Sequence, residues 1–337
     1  MQFDEFCEFI KKNIGDYLPE YHELVVELRD TKKNNGVIFK SLCMRESIDA
    51  SLGSNIYLEA YYKQYLDKLS IERIMQDIAE DYRNSRETIE KRGVNANFFD
   101  EPDPNKIVIK LVNYEKNKEL LKECPYIRFQ DLAVTFRAVC YSSESDLMSA
   151  LVNERTMIGL NMTVDELYEK AKENYSREFP TSLRSLGSVI EGMMGDIPMP
   201  PLDTQPDRDV YVLSNTKCIN GASTVLLDDA LAEAEEKIGG SFYIIPSSVH
   251  ETLLVPENGA VDPKDIAEMV YEVNRTVVSE EEVLSDTVYF YDAETKEISM
   301  VNPPKTIEEK LQEELERDKE QDKEFDEMFP DPNRGGR

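Results

Sequence analysis

The chain has 337 residues, 40% of them hydrophobic with 13 Phe and 17 Tyr, enough for two compact modules and a tail, and its formal net charge is −29. No run approaches the ~20 apolar residues of a membrane span, and the acidic, aromatic start Met1-Gln2-Phe3-Asp4-Glu5-Phe6 is unlike a secretory leader, so the expected location is the cytoplasm with no membrane contact. Residues 201–300 hold 21 acids against 6 bases, a balance that repels phosphate backbones and argues against direct nucleic-acid binding.

Taken in order, Phe3, Phe6, Cys7, Ile10 and Ile14 recur at helical spacing and Gly15 closes the pattern, predicting a first amphipathic helix. Leu24–Leu28 and Val37–Leu42 are strand-like and flank Lys32-Lys33-Asn34-Asn35-Gly36. Asn-Gly tolerates positive φ, so the spacing predicts a β-hairpin whose tip has no binding role. Tyr57, Tyr61, Tyr62, Tyr65 and Leu66 line one side of a helix expected to continue through Ile71, Ile74, Met75 and Ile78. After the break Pro102-Asp103-Pro104-Asn105, Ile107–Val112 reads as a strand and Tyr114–Cys124 as a short helix. Leu132–Tyr141 and Leu147–Val152 flank Ser142-Ser143-Glu144-Ser145 as a second hairpin. Thr163 and Glu166 form a capping box ahead of a helix that Phe179-Pro180 ends, and a further helix carries Leu186, Val189, Ile190 and Met193. Pro198 to Pro206 is proline-rich and reads as a linker or long loop.

Beyond it, Val210–Leu213 (strand), Leu226–Ile238 (helix), Phe242–Ile245 and Thr252–Val255 (strands) and Ile266–Val273 (helix) give an α+β module with helices on one sheet face. Ser223 or Thr224 is the expected N-cap of the helix at Leu226. Val288–Tyr291 and Ile298–Val301 form a terminal hairpin, and the remainder is a charged helical tail expected to fray and to be dispensable for folding. The expected fold class is therefore α+β, with antiparallel or mixed sheets and helices on one face. Its segments are an N-terminal helix-hairpin-helix module (1–100), a central α+β module (101–197), a C-terminal α+β module (198–303) and a charged tail (304–337).

The one cluster carrying chemistry is Ser247, Ser248, His250 and Glu251, between the strands Phe242–Ile245 and Thr252–Val255. Hydroxyl, imidazole and carboxylate are the residue types of a serine hydrolase, but groups this close on an extended backbone point to alternating faces, and there is no G-x-S-x-G elbow. A structural or binding role is the favoured reading, with a hydrolase or transferase using His250 as the alternative. The five cysteines form no C-x-x-C pair and the two histidines no H-E-x-x-H, so no metal is expected. Gly239-Gly240 runs from a helix into a strand, the wrong direction for a phosphate cradle, so no cofactor is expected either. The acidity suits a cytosolic surface, and as a sharper alternative a basic protein partner.

Several strings occur in an order that carries a resemblance: Lys33-Asn34-Asn35-Gly36, Ile56-Tyr57-Leu58 with Tyr61-Tyr62, Leu111-Val112-Asn113 with Lys116-Asn117, Asn174 before Phe179-Pro180, Asn220-Gly221-Ala222, Phe242 to Glu251, and Leu284-Ser285-Asp286. On these the chain resembles an uncharacterised bacterial family, domain of unknown function 5688, from the first helix to about residue 301. Ile158-Gly159 stands where that family carries a Trp-Gly pair. The resemblance implies a cytosolic protein and supplies no mechanism.

Overall fold

The computed structural model describes residues 1–48, 53–92, 101–143, 147–194, 210–246, 248–259 and 262–301. The proline-rich stretch 198–206, Ser247 and the charged tail all lie outside the described residues.

Helix α1 (Phe3–Asn13) starts at a capping box in which the Gln2 N–H donates to Glu5 Oε2 (3.0 Å), and it buries Phe6, Cys7 and Ile10. Strands β1 (Val25–Lys32), β2 (Ile38–Arg45) and β3 (Ser54–Tyr57) form an antiparallel sheet in that order. The hairpin register runs from Val25 opposite Arg45 to Lys32 opposite Ile38, and its tip holds Asn35 (φ 60°) and Gly36 (φ 72°) in the left-handed region, as the Asn-Gly pair predicts. The long helix expected to run through Ile78 is instead two, α2 (Leu58–Leu66) and α3 (Ile71–Arg92). Lys68 turns left-handed (φ 70°), the Leu69 N–H closes back on Gln64 O, and Ser70 Oγ accepts the Arg73 N–H to begin the second helix. Phe6, Ile10, Leu42, Ile56, Ile74 and Tyr82 meet in the core of this part.

Next come β4 (Ile107–Asn113), α4 (Lys118–Leu121), β5 (Tyr126–Phe129), β6 (Leu132–Ser142), β7 (Leu147–Leu151), α5 (Glu154–Leu160), α6 (Val164–Glu178), β8 (Thr181–Ser185) and α7 (Leu186–Met194). Strand β6 pairs with β4 along one side and with β5 and β7 as well, all antiparallel. The helix expected over Tyr114–Cys124 shrinks to one turn, α4, because Tyr114–Asn117 is a turn held by Asn113 Oδ1. The predicted capping box is present, with Glu166 N–H donating to Thr163 Oγ1 (3.2 Å) and Thr163 N–H to Glu166 Oε2 (2.8 Å). Strand β8 was not expected. Its Thr-Ser-Leu-Arg-Ser sequence buries one apolar side chain, Leu183, and it exists because β9 offers an edge to pair with.

The last elements are β9 (Tyr211–Asn215), α8 (Asp228–Ile238), β10 (Phe242–Ile245), β11 (Thr252–Pro256), α9 (Pro263–Thr276), β12 (Tyr289–Tyr291) and β13 (Ile298–Met300). They form an antiparallel sheet in the order β13-β12-β10-β11-β9-β8. The architecture is α+β, as expected, but this sheet carries helices on both faces. Phe242, Ile244 and Leu254 pack with Ala230, Leu231 and Ala234 of α8, whereas Ile245 packs with Ile266 and Val270 of α9, because alternate side chains of one strand point to opposite faces. The first of these cores is continuous with Ile109, Val134 and Phe136 of the four-stranded sheet and with Leu167, Ala171 and Tyr175 of α6.

The β1–β2 tip is not idle. Asn35 Nδ2 donates to Glu280 O (2.7 Å) and Val283 O (2.6 Å), Asn34 Nδ2 to Glu281 O (2.8 Å), and the Asn35 N–H to Asn117 Oδ1 (3.0 Å). The tip thus docks on the turn after β4 and on the segment before β12.

Candidate functional site

The cluster between β10 and β11 is positioned by its flanks. Helix α8 ends at Gly239, left-handed at φ 89°, whose N–H donates to Glu235 O (2.7 Å) and turns the chain into β10. Pro246 lacks an N–H and closes that strand. Ser248 makes an isolated antiparallel bridge with Val283, and the Val249 N–H donates to Glu282 O (2.9 Å). On the other side the buried 3₁₀ turn Gly221–Leu226 donates its Ala222 N–H to Val249 O (3.2 Å), and Ser214 Oγ of β9 donates to His250 O (2.8 Å). The 248–250 bracket is therefore held from both sides through its main chain.

The side chains of the cluster do not converge as a hydrolase requires. Ser248 Oγ accepts the His250 backbone N–H (3.1 Å), so the hydroxyl closes a local turn and makes no bond to an imidazole. His250 Nδ1 accepts the Asn220 N–H (3.3 Å), which assigns the neutral ring's proton to Nε2. Nε2 lies 3.5 Å from Glu282 Oε1, and both side chains are partly open to water, at 37% and 44% exposure. A base needs a free lone pair, and in this ring the lone pair is occupied by a backbone donor. Glu251 is exposed and makes no hydrogen bond or ion pair among the described residues. Ser247 lies outside them. His250 lines none of four surface cavities found among the described residues.

Sequence reasoning missed the partners that matter. Asn220 is 30 residues upstream and left-handed (φ 51°), and Gly221 sits so close to Ser214 and His250 that any Cβ would overlap them. Ser223 and Thr224 do not cap α8 as expected. Ser223 Oγ accepts the Leu111 N–H (3.0 Å) and Thr224 Oγ1 lies 3.3 Å from the Tyr175 hydroxyl, so both serve buried tertiary contacts, and α8 begins later, at Asp228, without a side-chain cap.

Two further polar nodes surround the site. The Tyr175 hydroxyl donates to Asn220 O (3.0 Å) and accepts from Asn215 Nδ2 (3.0 Å), with burial pushing the phenol up to about 12. Asp131 accepts from Ser285 Oγ (2.6 Å), Thr287 Oγ1 (3.1 Å) and the Tyr289 hydroxyl, and burial with that carboxylate beside it raises Tyr289 well above the usual phenol range. Both phenols stay protonated near neutrality and act as donors.

Segment 280–285 is held by asparagines. Its carbonyls accept from Asn35 (Glu280 and Val283), Asn34 (Glu281), Asn113 (Leu284, 2.9 Å) and Asn274 (Ser285, 3.0 Å), and Asn117 Nδ2 braces the set through Asn113 O (2.8 Å). This clamp fixes Glu282 opposite His250.

The five cysteines are free thiols, and burial pushes Cys7 and Cys124 up to about 11, which makes them poor nucleophiles. Among the described residues no group of three or more His, Cys, Asp or Glu is arranged to hold a metal ion, and no helix is long and apolar enough to cross a membrane.

A three-sheet α+β protein whose polar cluster between β10 and β11 is tied into backbone hydrogen bonds is the class defined here. The model of a family described as "Family of unknown function (DUF5688)" matches residues 3–293, and the chain belongs to that family. No curated protein and no solved structure matches it.

Proposed function

We propose that this protein acts by binding a basic protein partner and is not a catalyst. The observation that carries the reading is an open groove of about 560 Å³ beside α8, where Leu231, Ala232 and Tyr291 are rimmed by Asp228, Glu235 and Glu236. Glu235 is already held by Lys296 and the Tyr291 hydroxyl, and Asp228 lies 3.6 Å from Lys172 Nζ while staying open to water, whereas Asp229, Glu233 and Glu236 are exposed along the helix. An apolar floor with an acidic rim complements a Lys- or Arg-rich segment with an apolar anchor. The occupied Nδ1 of His250 and the backbone-bound Ser248 support the non-catalytic side of this reading. The free thiols and the acidic surface fit a reducing cytoplasm.

The test uses the full chain as bait in lysate of the native host, beside a D228K/E236K double variant. Once a captured protein is purified, its Kd for the wild type is expected to weaken steeply with salt and by tenfold or more on charge reversal. A partner bound equally well by both baits defeats the groove. An esterase, phosphatase or peptidase activity that vanishes in folded His250→Asn defeats the non-catalytic reading.

A further inference from the structure

In a chain with 68 acids and 39 bases a lysine readily finds a carboxylate. Lys40 pairs with Asp30, Lys170 with Glu173 (2.8 Å) and Lys217 with Glu178 (3.0 Å). Exposed lysines such as Lys63, Lys106, Lys116 and Lys264 also lack an ion pair among the described residues, and water serves them, whereas Lys110 and Arg137 are unpaired while withdrawn from the surface. Lys110 of β4 lies opposite Thr135, and Arg137 of β6 lies opposite Val108. The register therefore sets them as diagonal neighbours on one sheet face, with Cα atoms about 7–8 Å apart. Both side chains are largely withdrawn from water, yet neither makes an ion pair among the described residues. Arg137 donates from Nε to Ser149 Oγ (3.3 Å) and from Nη2 to Ser149 O (2.9 Å), and Lys110 Nζ makes no hydrogen bond.

The surroundings add to the imbalance. Lys33, next to the β1–β2 tip with its ammonium 4.1 Å from the Tyr57 ring centre, contributes a third positive charge acting on Lys110. Glu281 opposes it, with a smaller influence than either cation. The groups acting on Arg137 are the thiols of Cys124 and Cys140, both raised by burial and so neutral near pH 7. Like charges withdrawn from water repel and lose hydration, and an anion from outside that completes the site offsets both costs.

We propose that the sheet face bearing Lys110 and Arg137 binds a phosphate group, either free phosphate or the end group of a small phosphorylated metabolite. The Ser149 bonds hold the guanidinium plane, so the unused Nη1 donors are pre-oriented, and Lys110 brings three more N–H groups. Two cations with a third nearby match a dianion better than a singly charged carboxylate. The net charge of −29 and the tip of β1–β2 packed against β4 argue against a nucleic-acid backbone here. This inference is independent of the groove beside α8.

Burial, Arg137 and Lys33 push the Lys110 ammonium down to about 8. An arriving phosphate raises it again, so affinity falls as pH rises through that value and Lys110 loses its proton. Phosphate's own second ionisation, with a pKa near ~6–7, would by itself strengthen binding over the lower part of the range.

The experiment measures the melting midpoint of the full chain against inorganic phosphate and, separately, glycerol 3-phosphate, at ionic strength held constant with chloride, at about pH 7 and about pH 9. Wild type is expected to gain several degrees with millimolar phosphate at the lower pH and less at the higher. Lys110→Met is expected to melt no lower than wild type without phosphate and to lose the phosphate-dependent rise. Lys33→Gln, which leaves the sheet face intact, keeps the test open if Lys110→Met does not fold, and is expected to weaken phosphate affinity severalfold. A larger rise with the ester points to a metabolite and an equal rise to the free ion, and either supports the site. No rise beyond the chloride control, or the same rise in Lys110→Met or Lys33→Gln as in wild type, overturns it.

Discussion

Gly221→Ala is the sharpest test of how the 248–250 bracket is held. A Cβ at this position lies 2.0 Å from Ser214 Oγ, 2.3 Å from His250 O and 3.0 Å from Asn215 N. The hydroxyl can rotate away, but the other two atoms are backbone, one of the bracket and one of β9, so a strand or a turn has to shift. Forcing a methyl into packed structure costs about 1–3 kcal/mol. Displacing the Ser214–His250 and Ala222–Val249 hydrogen bonds adds about 1 kcal/mol each. The expected loss is about 3–5 kcal/mol, a large part of the 5–15 kcal/mol typical of a domain. Urea unfolding followed by far-UV dichroism measures it, with tyrosine emission as a second probe in a chain that has no tryptophan. Two controls sharpen the result. Gly239→Ala, where nothing lies within 4 Å but φ is 89°, should cost only about 1 kcal/mol of backbone strain. The double variant Ser214→Ala/Gly221→Ala removes the hydroxyl and leaves His250 O in place, so it should recover little. A Gly221→Ala loss below about 1 kcal/mol, or full recovery in the double variant, would refute the backbone-contact argument.

Asn35→Ala removes the donors to Glu280 O and Val283 O and the acceptor for Asn117 Nδ2, and places alanine at φ 60°, so a loss of about 2–3 kcal/mol and faster proteolysis at the β1–β2 tip are expected. His250→Asn can still present an acceptor to the Asn220 N–H and should cost under about 1 kcal/mol, whereas His250→Leu leaves that donor unpaired and should cost about 1–3 kcal/mol in a chemical melt. Lys110 gives a pH signature: its folded value of about 8 lies below the ordinary lysine value, so between the two the unfolded chain binds more protons and stability rises with pH. The penalty stands in full below that window, on the order of 1–3 kcal/mol with water still reaching the ammonium, and Lys110→Met should flatten the rise in a series of melts.

How much of this was readable follows from the range of each signal. Phe242–Ile245 and Thr252–Val255 are short apolar runs with clear stops, and they form β10 and β11. Asn35-Gly36 and Thr163-Glu166 are local turn and cap chemistry, visible within two and four adjacent residues. Strands β3, β5 and β8 were missed because each has four or five residues and takes its stability from the strand it pairs with. The expected N-cap at Ser223 or Thr224 failed for the same kind of reason. A hydroxyl before a helix is read as a cap, but here two buried partners, the Leu111 N–H and Tyr175, claim the pair. The residue types of the candidate site were legible and its wiring was not, since Asn220, Ser214 and Glu282 approach His250 from distant parts of the chain.

The wiring also explains why asparagine recurs in the strings that carry the family likeness. Segment 280–285 runs between the β1–β2 tip, the turn after β4 and α9, and apart from the isolated bridge that gives Glu282 O the Val249 N–H, its carbonyls have no strand ladder of N–H donors among the described residues. A side chain that takes over that task must be short and uncharged and must offer N–H. Lysine and arginine would bring a charge with its cost of burial, and serine offers a single donor on a shorter reach. Asn34 and Asn35, Asn113 and Asn274 meet the requirement from three different places. The fit is not free of cost, because Asn34 Oδ1 and Asn274 Oδ1 are buried without a donor among the described residues. What the clamp secures is the position of one irregular segment against three others, and through it the contact of Glu282 with His250. The imidazole then sits where the 3₁₀ turn at Asn220, the bracket after β10 and the clamped segment meet. A histidine in that place joins three backbone segments, and its chemistry follows from that position.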